Sequence, residues 1–493
     1  MKQSLFLRIF PSVALPMFLA ISDQTLVATA LPLIAGDLGH VRLIPWVVIA
    51  YLIASTLMAP VYGRLGDIIG RRRMLMVALV VFMTGALVCA VAPRFEILIA
   101  ARALQGLGAG GLMTLSHALI GDAVPLRERG RYQGYLGTVM VSATTFGPVA
   151  GSFVSEAFGW RAVFLTTPPF ALLAFALAFR LPDQRDAEDT QKSFDFRGLL
   201  LFTLTIVPLL VGLQFVPLPG REGTNVAFLM LGIAAAALVL LWFNERSAPA
   251  PLFPRTLLGQ AAIWRCALVA AFYGGAFVSL VTFTPIFLRA ARGFSPSEVT
   301  VLLFTLTGGA GVGSFLSGRM VTRTGRTMLF PSLAMTGVAI GALFLAQTFS
   351  GLDRIALQCL YAFLALCFGS VMGVLQVNVQ YVAGTQGRGA ASGMVQFSRS
   401  LGAATGTVIV GSALFSALPA ADPTMLSSFR VLLERGPEIL STLSLATREQ
   451  LMTAVSTGFR NAFVVVALLA GASAAAAWAT PVRRIWQDKP LQG

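Results

Sequence analysis

Lysine is nearly missing from this chain of 493 residues: only Lys2, Lys192 and Lys489 occur. None stands in a GxxxxGK[ST] loop, so that way of cradling nucleotide phosphates is excluded. The two histidines, His40 and His117, cannot form a paired zinc site, and neither CxxC nor GxSxG occurs. Cys89, Cys266, Cys359 and Cys367 lie in or beside apolar stretches and are not placed for an external disulfide. They read as buried free thiols. Charge of either sign is scarce, at 12% of residues, about half the share of a soluble domain. These shortages argue against an enzyme, a metal centre or a bound cofactor, and leave an ion gradient or the substrate's own gradient as the energy source for any transport.

What the chain has instead is apolar sequence, 56% of residues, with mean hydropathy +0.79. It comes in repeated stretches of roughly 20 residues, the length that crosses a bilayer. Fourteen spans are predicted, near 10–34, 44–63, 74–92, 96–119, 131–155, 162–181, 197–216, 226–243, 263–288, 297–318, 329–348, 354–378, 389–414 and 458–480. The seventh is expected to break at Pro208. The basic N-terminus and the run after it, with Pro16 and Asp23, read as a retained first span. The net charge of +15 concentrates in loops of one side, and only Arg102 and Arg399 fall within spans. That bias orients a multi-pass protein with its Arg-rich loops and both termini in the cytoplasm. Nucleic acid need not be invoked.

Gly63-Arg64-Leu65-Gly66-Asp67-Ile68-Ile69-Gly70-Arg71-Arg72-Arg73 sits between two spans and is expected to be a tight cytoplasmic turn. A weaker copy follows 255 positions later: Gly63, Arg64, Gly70 and Arg71 match Gly318, Arg319, Gly325 and Arg326. Likewise Arg129, Gly130, Gly134 and Gly147 match Arg388, Gly389, Gly393 and Gly406. The chain therefore reads as a duplication, the habit of secondary transporters. Residues 1–181 form an N-terminal six-helix bundle, 182–262 a cytoplasmic linker with an inserted helix pair, and 263–493 a C-terminal six-helix bundle. An external segment at about 416–457, holding Glu434, Arg435, Glu438, Arg448 and Glu449, suggests short helices on the outer surface.

Asp23 is the one carboxylate placed near mid-membrane. A charge there must be paired, hydrated or protonated, so the group can either exchange a proton or lock its span. If spans 1 and 4 are neighbours, Asp23 and Arg102 differ in depth by only about 6 Å at about 1.5 Å per residue. Asp67 and Arg71, among Gly63, Gly66 and Gly70, suit a lock that is made in one state and broken in another. Gly147, Pro148 and Gly151, with Gly137, allow span 5 to pack closely, and Pro148 is expected to bend it. Thr25, Gln105, Gln376, Asn378, Gln380 and Gln396 either line a cavity or bind helices together, and Arg399 is a further polar position. Phe272, Tyr273, Phe277, Phe283 and Phe287 offer aromatic surface to a lipophilic ligand or to neighbouring helices.

These segments resemble the 14-spanning drug:H+ antiporter branch of the major facilitator superfamily, over essentially the whole chain. GRLGDIIGRRR (63–73) is similar to the family's signature after span 2. SDQTLVATALP (22–32) resembles the branch's span 1, and RALQGLGAG (102–110) its span 4. TTFGPVAG (144–151) resembles the span 5 antiporter signature, with Ala143 and Ser152 where glycine is usual. GWRAVF (159–164) and RGFSPSEV (292–299) also fit. The resemblance implies an all-α fold of two six-helix bundles that rock about a midplane cavity. It further implies proton-coupled export by antiport, with Asp23 and Arg102 as the coupling pair and Asp67/Arg71 as the cytoplasmic gate. Branch members include multidrug exporters of the bacterial inner membrane, some with a periplasmic adaptor. One mid-membrane acid points to neutral or monocationic lipophilic substrates. A dedicated exporter of one metabolite or lipid is the alternative, and a non-transporting receptor or scaffold a remote one.

Overall fold

The computed structural model describes residues 2–39, 43–181, 194–215, 224–348, 351–417, 445–482 and 484–485. All regular structure among them is helical. The N-terminal part comprises α1 (Lys2–Leu38), α2 (Ile44–Ile69), α3 (Arg71–Ala90), α4 (Phe95–Ala123), α5 (Leu126–Phe158), α6 (Trp160–Leu165) and α7 (Thr167–Ala178). Next come α8 (Phe196–Gln214), α9 (Thr224–Ser247) and a single turn, α10 (Arg255–Leu258). The C-terminal part comprises α11 (Ala261–Ala290), α12 (Pro296–Thr324), α13 (Leu329–Thr348), α14 (Arg354–Val382), α15 (Arg388–Phe415) and α16 (Leu445–Trp478).

Local chemistry sets several of these ends. Ser295 and Glu298 form a reciprocal capping box at the start of α12. Asp353 accepts from Ala356 N–H at 2.7 Å at the start of α14. Gly325, in the left-handed region at φ 66°, ends α12. Among the described residues, twelve helical stretches are long and apolar enough to cross a membrane, α6 and α7 together counting as one. The polar and small faces of α5 and α15 lower their hydropathy, although at 33 and 28 residues both have the length.

Four details depart from the sequence reading. The Gly63–Arg73 segment is not a turn: α2 runs to Ile69, α3 starts at Arg71, and Gly70 alone breaks the helix, at φ 110°. Glycines 63 and 66 are in fact packing positions on α2. Span 7 is unbroken, since α8 stays helical through Pro208, as spans do when neighbours satisfy the freed carbonyl. Span 6 divides at Thr166, just before Pro168 and Pro169, whose missing N–H groups cannot continue the ladder. The last helix begins at Leu445, so Arg448 and Glu449 belong to α16. Glu434, Arg435 and Glu438, like the linker acids Asp183, Asp186, Glu188 and Asp189, lie outside the described residues.

Two sets of apolar cores result. Helices α1–α7 bury Phe82, Leu112 and Leu136 in one cluster and Val27, Phe95 and Phe164 in another. Helices α11–α16 share a single cluster containing Phe287, Tyr361, Phe368 and Phe459. The same packing recurs in both: α1 on α5 and α2 on α4 correspond to α11 on α15 and α12 on α14. The two parts meet where α2 packs on α15 and α5 on α12.

At both crossings glycine meets glycine. A Cβ on Gly63 would lie 2.9 Å from the carbonyl carbon of Gly389, and one on Gly130 would lie 2.9 Å from Gly318 O. These are equivalent pairs under the duplication, so the crossings are pseudo-twofold mates. Helix α8 lies outside the first, burying Phe202, Ile206 and Leu210 against Leu57 and Val61 of α2, with Phe397 and Leu401 of α15 beside them. Helix α9 packs on α8 and leaves Phe228, Leu229, Leu238 and Leu240 more than half exposed, the profile of a lipid-facing helix.

Candidate functional site

Three groupings stand out: a buried ion pair in the N-terminal part, a charge lock at the Arg-rich end, and a cavity between the two parts.

The first joins α1 and α4. Arg102 Nη1 donates to Asp23 Oδ2 at 2.6 Å and to Gln105 Oε1 at 2.6 Å. Gln105 Nε2 donates to Asp23 Oδ1 at 2.8 Å, so both carboxylate oxygens are engaged. Arg102 Nε donates to Val47 O at 3.2 Å, and its guanidinium carbon lies 4.2 Å from the Tyr51 ring centroid. The Tyr51 hydroxyl donates to Ala20 O at 2.6 Å. Asp23 is 2% exposed, and Arg102 and Gln105 are fully buried. Most of the pair's other donors and acceptors are engaged as well, which offsets part of the cost of burying it. One donor is left over: Arg102 Nη2 is buried without a partner. The neighbour relation that the depth estimate required is therefore present. Gln105 belongs to this cage and does not line the cavity.

The second grouping spans α2, α3, α4 and α15. Asp67 accepts from Gly389 N–H at 2.9 Å and Ala390 N–H at 2.8 Å. Both donors are the free N–H groups of the first turn of α15, where the helix dipole favours an anion. Arg71 pairs with Asp67 at 2.5 Å and also with Asp122 at the end of α4. Its Nη2 donates to Thr385 O at 3.0 Å. Arg388 donates to Asp122 Oδ1 at 3.1 Å. One acid from each of α2 and α4 thus meets Arg71 of the N-terminal part and Arg388 of the C-terminal part. Gly63, Gly66 and Gly70 make room, since a Cβ on Gly66 would lie 2.8 Å from Leu115. At the mate crossing Thr322 replaces Asp67, and it donates within its own helix to Gly318 O at 2.9 Å. The charge lock is therefore one-sided.

Asp122 was not singled out from the sequence. The available signal was the surplus of arginines at this end with a single recognised acid to meet them. Arg388 was noted only as a member of the repeat.

The cavity, about 130 Å³, is lined from α4, α5, α11, α12, α14 and α15. Met140, Val141, Tyr273, Phe277, Val281 and Met372 supply apolar surface, and His117, Gln133, Thr144, Ser314 and Arg399 the polar groups. Tyr273 and Phe277 stack with centroids 5.7 Å apart. His117 Nδ1 is 2.7 Å from Gln133 Oε1.

Of the two roles open to Gln376, Asn378, Gln380 and Gln396, the contacts favour binding helices together. Gln380 donates to His117 O at 2.8 Å and Gln396 to Met113 Sδ at 3.6 Å, both stitching the C-terminal part to α4. Gln376 faces Ser392 O at 3.5 Å. Asn378 donates to Thr327 Oγ1 and to Val482 O, both at 2.9 Å, pinning the segment after α16. Thr25 donates to Ser22 O at 2.9 Å and faces α5. There a Cβ on Gly147 would lie 2.9 Å from Thr25 Cβ, and one on Gly151 would lie 2.9 Å from Leu26 Cα. These glycines thus seat α1 on α5, while Pro148 is exposed and α5 continues through it. Of the span 9 aromatics, Tyr273 and Phe277 line the cavity, and Phe287 packs on Phe459 and Phe463.

A two-part helical bundle closed over a central cavity defines the transporter-like class of fold. Residues 13–407 match the model of the Major Facilitator Superfamily. The chain belongs to that family and is a multi-pass membrane protein. An uncharacterized MFS-type transporter of Mycobacterium tuberculosis is 32% identical over 82% of this chain, which spans only 59% of that relative's length. The multidrug transporter protein MdtP of Bacillus subtilis is 28% identical over 84% of this chain and 76% of its own. Among solved structures, the E. coli proton:xylose symporter XylE superposes with TM-score 0.67 at 15% identity. That match covers 98% of this chain and 97% of XylE, a likeness of fold.

Proposed function

We propose that this chain is a proton-coupled antiporter that exports amphipathic compounds from the cytoplasm of a bacterium by alternating access. It would span the inner membrane fourteen times, with both termini inside and the Arg-rich end cytoplasmic. The carrying observation is the Asp67–Arg71–Asp122–Arg388 lock, which ties the two parts together at one end of a shared cavity. A device of that kind gives one of two states a defined energy and leaves the other reachable when it breaks. The multidrug names of relatives at 28% and 27% identity support export of amphipathic cargo.

In this reading Asp23 is the proton site. Neutralising it removes the counter-charge of Arg102 and loosens α1 from α4. Helix α1 also seats on α5 through Thr25 and Gly147, and α5 forms one of the two crossings. A proton on Asp23 would in this way bias the crossing without touching the cargo.

The test is cargo-induced proton movement in vesicles containing the purified protein and a pH-sensitive dye, over a panel of lipophilic cations, anions and neutral compounds. A cargo-dependent signal that is lost in Asp23→Asn supports antiport through this site. A signal unchanged in the variant removes Asp23 from the mechanism. Flux without any proton signal turns the reading toward facilitated export.

A further inference from the structure

Asp23, the single mid-membrane acid from which neutral or monocationic cargo is expected, has both oxygens occupied by Arg102 and Gln105. Among the described residues no carboxylate lines the cavity, and the one charged lining residue is Arg399. Arg399 stands on α15 about 16 Å along the helix from Arg388, at about 1.5 Å per residue, close to half the depth of a bilayer core. Arg71, Arg102 and Arg388 each meet a carboxylate oxygen. Arg399 forms no ion pair among the described residues. Its one hydrogen bond runs from Nε to Gln396 Oε1 at 3.4 Å, at the long end of the range. A guanidinium at this depth is costly unless something of opposite charge meets it. Around it the walls are apolar and aromatic.

We propose that Arg399 is an anion-recognition subsite, and that the cavity accepts amphipathic organic anions, such as aryl carboxylates, in preference to cations. The anionic head pairs with the Arg399 guanidinium, whose planar fork matches a carboxylate. The apolar body lies on Tyr273, Phe277, Met140 and Met372. This deepens the export reading, on which it rests only for the direction of transport. It differs from the neutral or monocationic cargo expected from the sequence.

The test uses three probes on one skeleton, naphthalene-1-acetate, 2-(1-naphthyl)ethanol and 2-(1-naphthyl)ethylamine, titrated calorimetrically into the purified full chain. The expected order is acetate tightest, with a preference over the amine of about tenfold or more, as for a hydrogen bond to a charged partner. Arg399→Gln should remove that preference while the alcohol still binds, which also shows that the variant is folded. Arg399→Lys should keep part of it, and Arg399→Glu should invert it toward the amine. Equal affinity for acetate and amine in the unaltered protein, or an acetate preference that survives Arg399→Gln, overturns the proposal and leaves export standing. Absence of binding by all three probes at millimolar concentration also overturns the proposal, and leaves the export reading to the proton-movement test.

Discussion

Gly389 lies 322 positions beyond Asp67 in the chain, and its backbone N–H donates to Asp67 Oδ1 at 2.9 Å. The carboxylate thereby caps a helix of the other half of the molecule while also pairing with Arg71 of its own. Asp67→Asn keeps the shape but removes the charge. The expected loss is up to about 2 kcal/mol of inter-half attraction, as for a charge at a partly buried helix terminus. A cysteine at Ser392, buried beneath the lock, should then react faster with a membrane-impermeant thiol reagent applied to the Arg-rich side. The background would have exposed Cys359 replaced. An unchanged alkylation rate would show that the lock does not hold this end shut.

Breaking the α1–α4 pair from its two sides should have different consequences. Asp23→Asn retains an oxygen and an amide facing Arg102 and Gln105, so folding is expected to survive while gradient-driven flux is lost. Arg102→Ala leaves Asp23 buried opposite a void. A cost of about 3–5 kcal/mol is typical of an orphaned buried charge. Thermal unfolding in detergent should place both variants below the unaltered protein, Arg102→Ala lowest, and an unchanged melting temperature in Arg102→Ala would contradict the pairing.

Glycine at the crossings is a steric requirement. Gly63→Ala puts a methyl group against the Gly389 backbone, and Gly389→Ala puts one against the Gly63 carbonyl oxygen. Both neighbours are backbone, so the halves must separate there. Gly36→Ala and Gly308→Ala meet nothing within 4 Å. The first two variants should lose most transport and the second two should transport normally. Normal flux in Gly63→Ala would mean that the crossing is looser than its geometry.

On α5, Gly151→Val should unseat α1, because even its Cβ lies 2.7 Å from Leu26 O. Coupling should fail with cargo binding preserved, since Gly151 does not line the cavity. Binding and flux measured on the same preparation separate the two effects.

Much of this site could be read from the chain because depth in a bilayer follows from counting residues. Asp23 and Arg102 came together at the depth that the rise per residue gave. Helical phase was harder to read. Spans that are apolar on every side give weak periodicity, so nothing in the sequence told which amides face a cavity. Gln376, Asn378 and Gln380 turned out to bind helices together, while Gln133 and Arg399 reached the cavity. The glycines of the Gly63–Arg73 segment suit either a turn or a close helix contact, and the sequence alone does not separate the two. Only Gly70 has the backbone angle that demands glycine, and Gly63 is there because another backbone passes close by. Asp122 escaped notice because its partners come from two other helices, a relation that no local pattern encodes.

The pair α8–α9 makes the two flanks of the molecule unequal. One seam, between α2 and α15, is roofed by α8 through Phe202, Ile206 and Leu210. The other, between α5 and α12, has no such roof among the described residues, and the cavity lies beside it, lined by Met140 and Val141 on one side and Thr307 and Ala310 on the other. Two like bundles thereby acquire a front and a back, one seam covered by α8 and the other bare among the described residues.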